Sequence, residues 1–235
     1  MSSPSSTSTG NSEPESPATV RKTSSQRIAD RNVLRRNAQR LKAIAAVLMP
    51  EYSALLNNLG WHSNLQSGLT LGITSSRSKE GVSTVATQLA ICAAEHGAKV
   101  LLIDANSTRP NVHHTFRIPP HPDVADFLNQ GVVEENFSES GFENLKLIPC
   151  GSKILPSIPP SELESIFEKL ESRFDVVIFD LPSLEKGPQV FRWCSSLRQI
   201  LLVVSSKTTV SAAANSKRRL EKAGGFVAGV VENQY

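Results

Sequence analysis

The sequence is poor in cysteine and in long apolar runs, and each shortage excludes a class of protein. The three cysteines, Cys92, Cys150 and Cys194, are too few and too widely spaced for a disulfide framework or a metal cluster. The longest apolar run, 43–49, has seven residues, whereas a membrane-spanning helix needs about 20. No apolar block typical of a signal peptide follows the first basic residues. We therefore expect a cytoplasmic protein with reduced, buried thiols.

Charge and composition change along the 235 residues. Residues 1–50 contain eight basic side chains against three acidic ones, whereas the remainder is slightly acidic. Ser, Thr and Pro dominate the first 25 residues, which offer little apolar surface to offset the entropy of ordering the chain. The sequence thus predicts a disordered tail at 1–25, a basic helical arm and linker at 26–67, and a folded domain at 68–235.

The basic arm is predicted to be helical over 26–49, because it lacks Pro and Gly and its apolar residues recur at helical spacing. We expect this helix to end near Pro50. Arginines spaced four residues apart would form a basic stripe: Arg27, Arg31 and Arg35. Two interpretations stay open. The stripe is either a solvated face beside the domain, or residues 21–42 contact an anionic membrane surface, an acidic partner or, less favoured, nucleic acid.

After residue 68, short runs rich in Val, Ile and Leu alternate with helix-length segments. The runs lack strict polar alternation, which is typical of strands buried on both faces. They are Leu69–Thr74, Lys99–Asp104, Leu145–Pro149, Asp175–Asp180, Gln199–Val204 and Phe226–Val231. The helical segments are Ser83–Glu95, Ser161–Glu171, with a capping-box pattern at Ser161 and Glu164, and Thr209–Ala223. This alternation predicts an α/β fold in which helices wrap a parallel sheet, with ligands beyond the carboxyl ends of the strands.

Polar residues follow three of these strands. The first strand leads through a polar loop, 75–84, into a helix, so backbone N–H groups at the positive helix end could hold a phosphate. Two other strands end in Asp104 and Asp180. Because the carboxyl ends of parallel strands share one edge, both carboxylates would lie near the loop, where a nucleotide and its magnesium ion would bind. Taken alone, each aspartate is equally well explained as a turn or capping residue.

The segment 73–110, ITSSRSKEGVSTVATQLAICAAEHGAKVLLIDANSTRP, resembles the nucleotide-binding core of bacterial tyrosine autokinases of capsular and exopolysaccharide assembly. These are relatives of the chromosome-partitioning and septum-positioning P-loop ATPases. The resemblance continues in the same order through DVADFLNQG, NLKLIPCG, PPSEL, FDVVIFDLP and GVVEN. It implies a P-loop NTPase-like domain, with ATP and Mg²⁺ as cofactors where nucleotide binding is retained. It also implies a membrane-embedded chain-length or co-polymerase protein as partner, which would hold this protein at the inner face of the membrane.

The resemblance also implies roles for individual positions. The nucleotide-binding positions are Lys79, Glu80, Gly81, Val82, Ser83, Thr84 and Asn233, the last of which would contact adenine. The magnesium ligands would be Ser83 and Asp180. The catalytic carboxylates would be Asp104 and Asp180, with Asp104 orienting the attacking hydroxyl.

The phosphate loop of this chain departs from the family pattern, so its Walker motifs are deviant. Relatives read Pro-Gly-Glu-Gly-Lys-Ser-Thr where this chain reads Ser-Lys-Glu-Gly-Val-Ser-Thr, so Val82 replaces the lysine that reaches the β- and γ-phosphates. Losing this cation removes part of nucleotide binding and of transition-state stabilisation. Lys79 and Arg77 are candidate substitutes. The only tyrosines, Tyr52 and Tyr235, form no cluster that would serve as a phosphorylation substrate.

Three functions stay open. The favoured one is a degenerate tyrosine-kinase-like protein, a pseudoenzyme with weak or lost ATP turnover that regulates or scaffolds exopolysaccharide assembly or export. The second is an active ATP-dependent protein-tyrosine kinase or ATPase, in which Lys79 or a residue of a partner supplies the missing cation. The third is a binding module of the partitioning-ATPase type, whose basic arm holds DNA or a membrane surface.

Overall fold

The computed structural model describes residues 24–61, 68–151 and 155–234 and arranges seven strands of them in one sheet. The predicted disordered tail at 1–25 lies outside these residues except for its last two. The strands are β1 (Leu69–Ser75), β2 (Val100–Asp104), β3 (Ser138–Glu139), β4 (Leu145–Ile148), β5 (Val176–Asp180), β6 (Gln199–Ser205) and β7 (Val227–Asn233). Their order is β3-β4-β2-β5-β1-β6-β7, and every pairing in the described sheet is parallel except that of β3 with β4. The predicted α/β fold with a parallel sheet is confirmed.

Helices cover both faces of the sheet. They are α1 (Ser24–Val47), α2 (Met49–Asn58), α3 (Val82–Glu95), α4 (Val112–Phe116), α5 (Val124–Gln130), α6 (Pro160–Glu171), α7 (Phe191–Cys194) and α8 (Val210–Lys222). Buried side chains of α1 to α4 form one hydrophobic cluster with the sheet, and those of α5 to α8 form a second cluster on the opposite face. Because both faces are covered, β2, β5 and β6 each contain an unbroken apolar run, which explains why the sequence shows runs rather than alternation.

All six predicted strands are present, with ends moved by at most two residues. The predicted domain helices correspond to α3, α6 and α8. One local prediction is wrong, because Ser161 and Glu164 form no capping box: α6 begins at Pro160 and no side chain caps it. Proline fits the first helical position since an N–H there would have no helical partner. A capping box forms instead at α5, where Asp123 and Asp126 exchange side chain to backbone hydrogen bonds.

The basic arm contains two helices rather than one. Helix α1 ends just before Pro50, as expected, but α2 begins at once, with this proline in its first turn. Leu56 of α2 is fully buried, and it shares the first hydrophobic cluster with Leu41 and Ala45 of α1 and with the inner face of α3. The described part of the arm therefore packs on the sheet domain.

All three cysteines are buried, as expected. Both tryptophans are also packing residues, since Trp61 and Trp193 belong to the two hydrophobic clusters. Among the helices that the structure describes, none combines the length and apolar character required to cross a lipid bilayer.

Replacing Leu56 by alanine tests whether α2 is part of the core. Leu56→Ala should lower the free energy of unfolding by about 2 to 5 kcal/mol, because it removes a fully buried side chain and leaves a cavity. Leu55→Ala, at the half-buried neighbouring position, is the matched control and should cost less. Urea unfolding measures both values. An equal or smaller loss for Leu56→Ala would show that α2 is not packed as described.

Candidate functional site

The three strand ends predicted to form a site do meet. Strands β2 and β5 pair in register, so Asp104 lies directly opposite Asp180, and β1 pairs with β5 on the other side. Above them is a cleft of about 350 Å³. Its walls are Ser75, Ser78, Lys79, Gly81, Val82, Ser83, Thr84, Asn106, Thr108, Arg109, Asn111, Leu181 and Ser183. Five of the seven predicted nucleotide-binding residues thus line one cleft at the amino end of α3.

Asp180 is a buried carboxylate without a hydrogen-bond partner. Both of its oxygens are enclosed, and neither accepts a hydrogen bond from any residue in the described ranges. Burial raises its pKa well above the usual value, and the neighbouring Asp104 raises it further. The Ser83 hydroxyl lies close enough to oppose this pKa shift, although its geometry does not make it a standard hydrogen bond. The two predicted magnesium ligands, Ser83 and Asp180, are therefore neighbours.

Asp104 has a different environment although it is equally buried. Its carboxylate accepts backbone N–H groups from Asn106 at 3.1 Å, Asn111 at 2.9 Å and Val112 at 3.0 Å. Burial raises the pKa of Asp104 to about 6, and these hydrogen bonds limit the rise. Asp104 thus shapes the loop that leads into α4. Its predicted role in orienting an attacking hydroxyl stays a prediction.

The phosphate loop adopts a backbone that favours glycine at two positions. Gly81 has a φ of 91° and immediately precedes α3, and a Cβ atom built on it would lie 1.8 Å from Nδ2 of Asn233. Lys79 has a φ of 70°, a conformation that costs a non-glycine residue about 1 to 2 kcal/mol. The family pattern has glycine at both positions, so the chain keeps the loop shape even where Lys79 replaces the glycine.

Glu80 ties the phosphate loop to distant parts of the chain. Its buried carboxylate accepts the backbone N–H of Arg77 at 2.8 Å and a hydrogen bond from the Thr208 hydroxyl. Its carbonyl oxygen accepts a hydrogen bond from the Asn233 side chain at 3.1 Å. Asn233 also lines a neighbouring groove between α2 and β7 rather than the cleft. The predicted contact of Asn233 with adenine stays a prediction.

A second acidic residue, Glu185, holds the outer side of the loop and was missed by sequence reasoning. It follows β5, and its carboxylate accepts the backbone N–H of Ser78 at 2.8 Å. Hydrogen bonds from Ser78 lower the pKa of Glu185. Where this chain has Ser78, the family pattern has proline, which lacks an N–H. That substitution was the one available signal that an acceptor would be found here.

Position 82 supplies no charge to the cleft. Val82 is the first residue of α3, and its side chain is buried in the first hydrophobic cluster at the cleft wall. Lys79 and Arg109 also line the cleft and are exposed, whereas Arg77 is exposed but is not part of the lining. The residues present fit a magnesium ion better than a triphosphate. Asp180 and Ser83 provide oxygen ligands, but position 82, where the family pattern has lysine, provides no ammonium group.

A parallel sheet, a loop leading into a helix and paired strand-end aspartates define a P-loop ATPase-like domain. No protein-family model matches the chain. It is 29% identical over 174 residues to CapB of Staphylococcus aureus, covering 70% of this chain and 75% of CapB. It is 27% identical over 194 residues to the tyrosine-protein kinase YwqD of Bacillus subtilis, covering 78% and 79% of the two chains. The chain is thus similar over most of its length to bacterial tyrosine-protein kinases, and the resemblance found in its motifs is confirmed.

Solved structures support the same fold. The chimerical protein CapA2B2 superposes with a TM-score of 0.66 at 22% identity, covering 78% of this chain and 83% of that protein. The septum site-determining protein MinD of Pyrococcus horikoshii, solved with Mg-ADP, gives a TM-score of 0.59 at 22% identity, covering 72% and 71%. The predicted likeness of the fold to that of septum-positioning ATPases is confirmed.

Asp180→Asn should stabilise the protein at about pH 8 and have little effect at about pH 4. Well below pH 4, the usual pKa of an unfolded aspartate, the carboxyl is protonated in both the folded and the unfolded chain. As pH rises, the unfolded chain releases this proton while the buried carboxyl retains it. The wild type therefore loses up to about 1.4 kcal/mol of stability per pH unit. Asparagine is uncharged and avoids that loss.

Urea unfolding of both proteins in EDTA across this pH range measures the difference. Glu143→Gln, which neutralises an exposed acid, is the control and should show no such trend. A stability difference for Asp180→Asn that does not change with pH would contradict a raised pKa at Asp180.

Thr208→Val should destabilise the protein by about 1 kcal/mol or more, because the buried Glu80 carboxylate loses a hydrogen-bond donor. Thr84→Val makes the same chemical change at an exposed helical position and should cost clearly less. Urea unfolding at neutral pH measures both. Equal effects would mean that the Glu80–Thr208 hydrogen bond contributes nothing to holding the loop.

Proposed function

We propose that this protein is a degenerate, tyrosine-kinase-like protein whose ATP turnover is weak or lost and which regulates or scaffolds exopolysaccharide assembly or export. The observation that carries this proposal is Val82, an apolar side chain at the first turn of α3 where the family pattern places the phosphate-contacting lysine. Phosphoryl transfer is catalysed largely by positioning and charge stabilisation. Without the central cation, the cleft keeps its shape but lacks much of that stabilisation.

Binding of a magnesium nucleotide is compatible with this role. Ser83 and Asp180 would hold the ion, and the backbone N–H groups of 80–84 at the positive end of α3 would face the phosphates. The ion would supply charge neutralisation between neighbouring phosphates when bound. The ion would then coordinate the buried Asp180 oxygens, which accept no hydrogen bond from the described side chains or N–H groups.

An active kinase or ATPase is the alternative, and one observation favours it. Lys79 and Arg109 both line the cleft, so either cation could reach toward a bound phosphate. Lys79 extends from a loop position and Arg109 from the far wall, whereas the family's lysine begins at the helix itself. Both cations are exposed, which weakens charge interactions relative to a buried site.

The partner would be a membrane-embedded polysaccharide chain-length or co-polymerase protein, which would hold this protein at the inner face of the membrane. Support comes from the homology to CapB and from the likeness of the fold to the CapA2B2 chimera.

Val82→Lys should tighten binding of a fluorescent ATP analogue with Mg²⁺ by about tenfold or more, since a hydrogen bond to a charged group contributes about 1.5 to 3 kcal/mol. The matched control is Val210→Lys at the exposed first residue of α8, and it should leave binding unchanged. Fluorescence titration measures affinity, and phosphate release measures turnover.

Wild-type protein with micromolar affinity and turnover as fast as that of Val82→Lys would overturn the pseudoenzyme proposal. In that case Lys79→Ala identifies the substitute cation. Loss of turnover in Lys79→Ala would assign the role to Lys79, whereas full retention would exclude Lys79.

A further inference from the structure

Helix α1 buries apolar side chains on one face and exposes apolar side chains on another. On its inner face, Ala38, Leu41 and Ala45 are buried in the first hydrophobic cluster. On its outer face, three large apolar side chains are exposed instead: Val33 at 47%, Ile44 at 47% and Val47 at 75%. These account for half of the six exposed large apolar residues in the described part of the chain. A helix that only flanked the domain would be expected to carry polar residues there.

Two arginines, Arg36 and Arg40, complete this outer stripe. The five positions Val33, Arg36, Arg40, Ile44 and Val47 follow each other at intervals of three or four residues, which places them on one side of the helix. Both arginines are exposed, and neither forms an ion pair with any residue in the described ranges. By contrast, Lys42 on another side of α1 is paired with Glu95 of α3.

The outer stripe combines apolar and basic residues, and this combination fits an anionic lipid surface better than nucleic acid. The transfer of valine and isoleucine side chains to the boundary between lipid headgroups and acyl chains is favourable, and arginines are attracted to anionic headgroups. The phosphates of a nucleic acid would neutralise the arginines, but they would provide no apolar contact for the exposed valine and isoleucine side chains. We propose that the outer stripe of α1 binds an anionic lipid surface directly. This proposal does not depend on the proposed function, since it requires neither ATP nor a protein partner.

The inner face of α1 makes such binding compatible with the folded domain. Because Ala38, Leu41 and Ala45 anchor the helix to the core, the outer stripe is presented without unfolding α1 or opening the cleft. Binding should therefore be peripheral, reversible and weakened by salt.

Sedimentation of the full-length protein with phosphatidylcholine vesicles, with and without phosphatidylserine, tests the proposal. The wild type should bind the anionic vesicles, less so at high salt, and should not bind pure phosphatidylcholine. Arg36→Glu combined with Arg40→Glu should weaken binding by about tenfold or more, since each basic residue near an anionic surface contributes about 1 kcal/mol. Val33→Ser, Ile44→Ser and Val47→Ser together should also weaken it at unchanged net charge.

The matched control is Arg218→Glu with Lys222→Glu on α8, which makes the same charge change at exposed positions also four residues apart. It should leave vesicle binding nearly unchanged. Circular dichroism and urea unfolding establish that each variant is folded, and the salt and lipid dependence of the wild type tests the proposal without any variant.

Three results would overturn the proposal. The wild type fails to bind anionic vesicles, the α1 and α8 charge variants lose binding equally, or the triple serine variant binds as well as the wild type. Binding of duplex DNA that is lost in the Arg36 and Arg40 variant, with no vesicle binding by the wild type, would overturn it in favour of a nucleic-acid surface.

Discussion

The carboxyl edge of the sheet is governed by one electrostatic constraint. Strands β2 and β5 pair in register, so Asp104 and Asp180 are held side by side and away from water. Two carboxylates in such a place cannot both ionise without a large free-energy cost unless other groups compensate. The chain compensates at Asp104 with three backbone N–H groups and leaves Asp180 without hydrogen bonds. The uncompensated carboxylate is the one beside Ser83, and Ser83 lines the cleft.

The phosphate loop carries partial positive charge, because its backbone N–H donors lie at the positive end of α3. Two carboxylates, from Glu80 and Glu185, accept the N–H groups of Arg77 and Ser78 in the loop that precedes the helix. Charge-assisted hydrogen bonds of this kind are stronger than neutral ones. Glu80 further joins the loop to Thr208, in the turn between β6 and α8. The loop therefore holds its shape through contacts within the chain, independently of any lysine at position 82.

Sequence patterns predicted the sheet well because its signals are local. Each central strand is buried on both faces, so its apolar run marks it directly, and strand-end polar residues could be placed on a common edge. The break at Pro50 was also visible, but proline both stops one helix and starts another, and only packing of Leu56 against α1 and α3 decides that α2 forms. The ties of Glu80 to Thr208 and of Ser78 to Glu185 join residues more than 100 positions apart, and no spacing rule reveals such contacts.

Cation binding and phosphoryl transfer depend on different parts of this cleft, and the substitution at position 82 separates them. A divalent ion requires oxygen ligands, and Asp180 and Ser83 lie together at the edge of the sheet. Phosphoryl transfer requires, in addition, positive charge near the phosphoryl group that is transferred, and Val82 provides none. A buried carboxylate without a partner lowers the stability of the folded chain, so Asp180 is a liability in the free protein that a bound cation would remove. The proposed regulatory role rests on this combination, because a bound cation would change the stability of the site whether or not turnover follows.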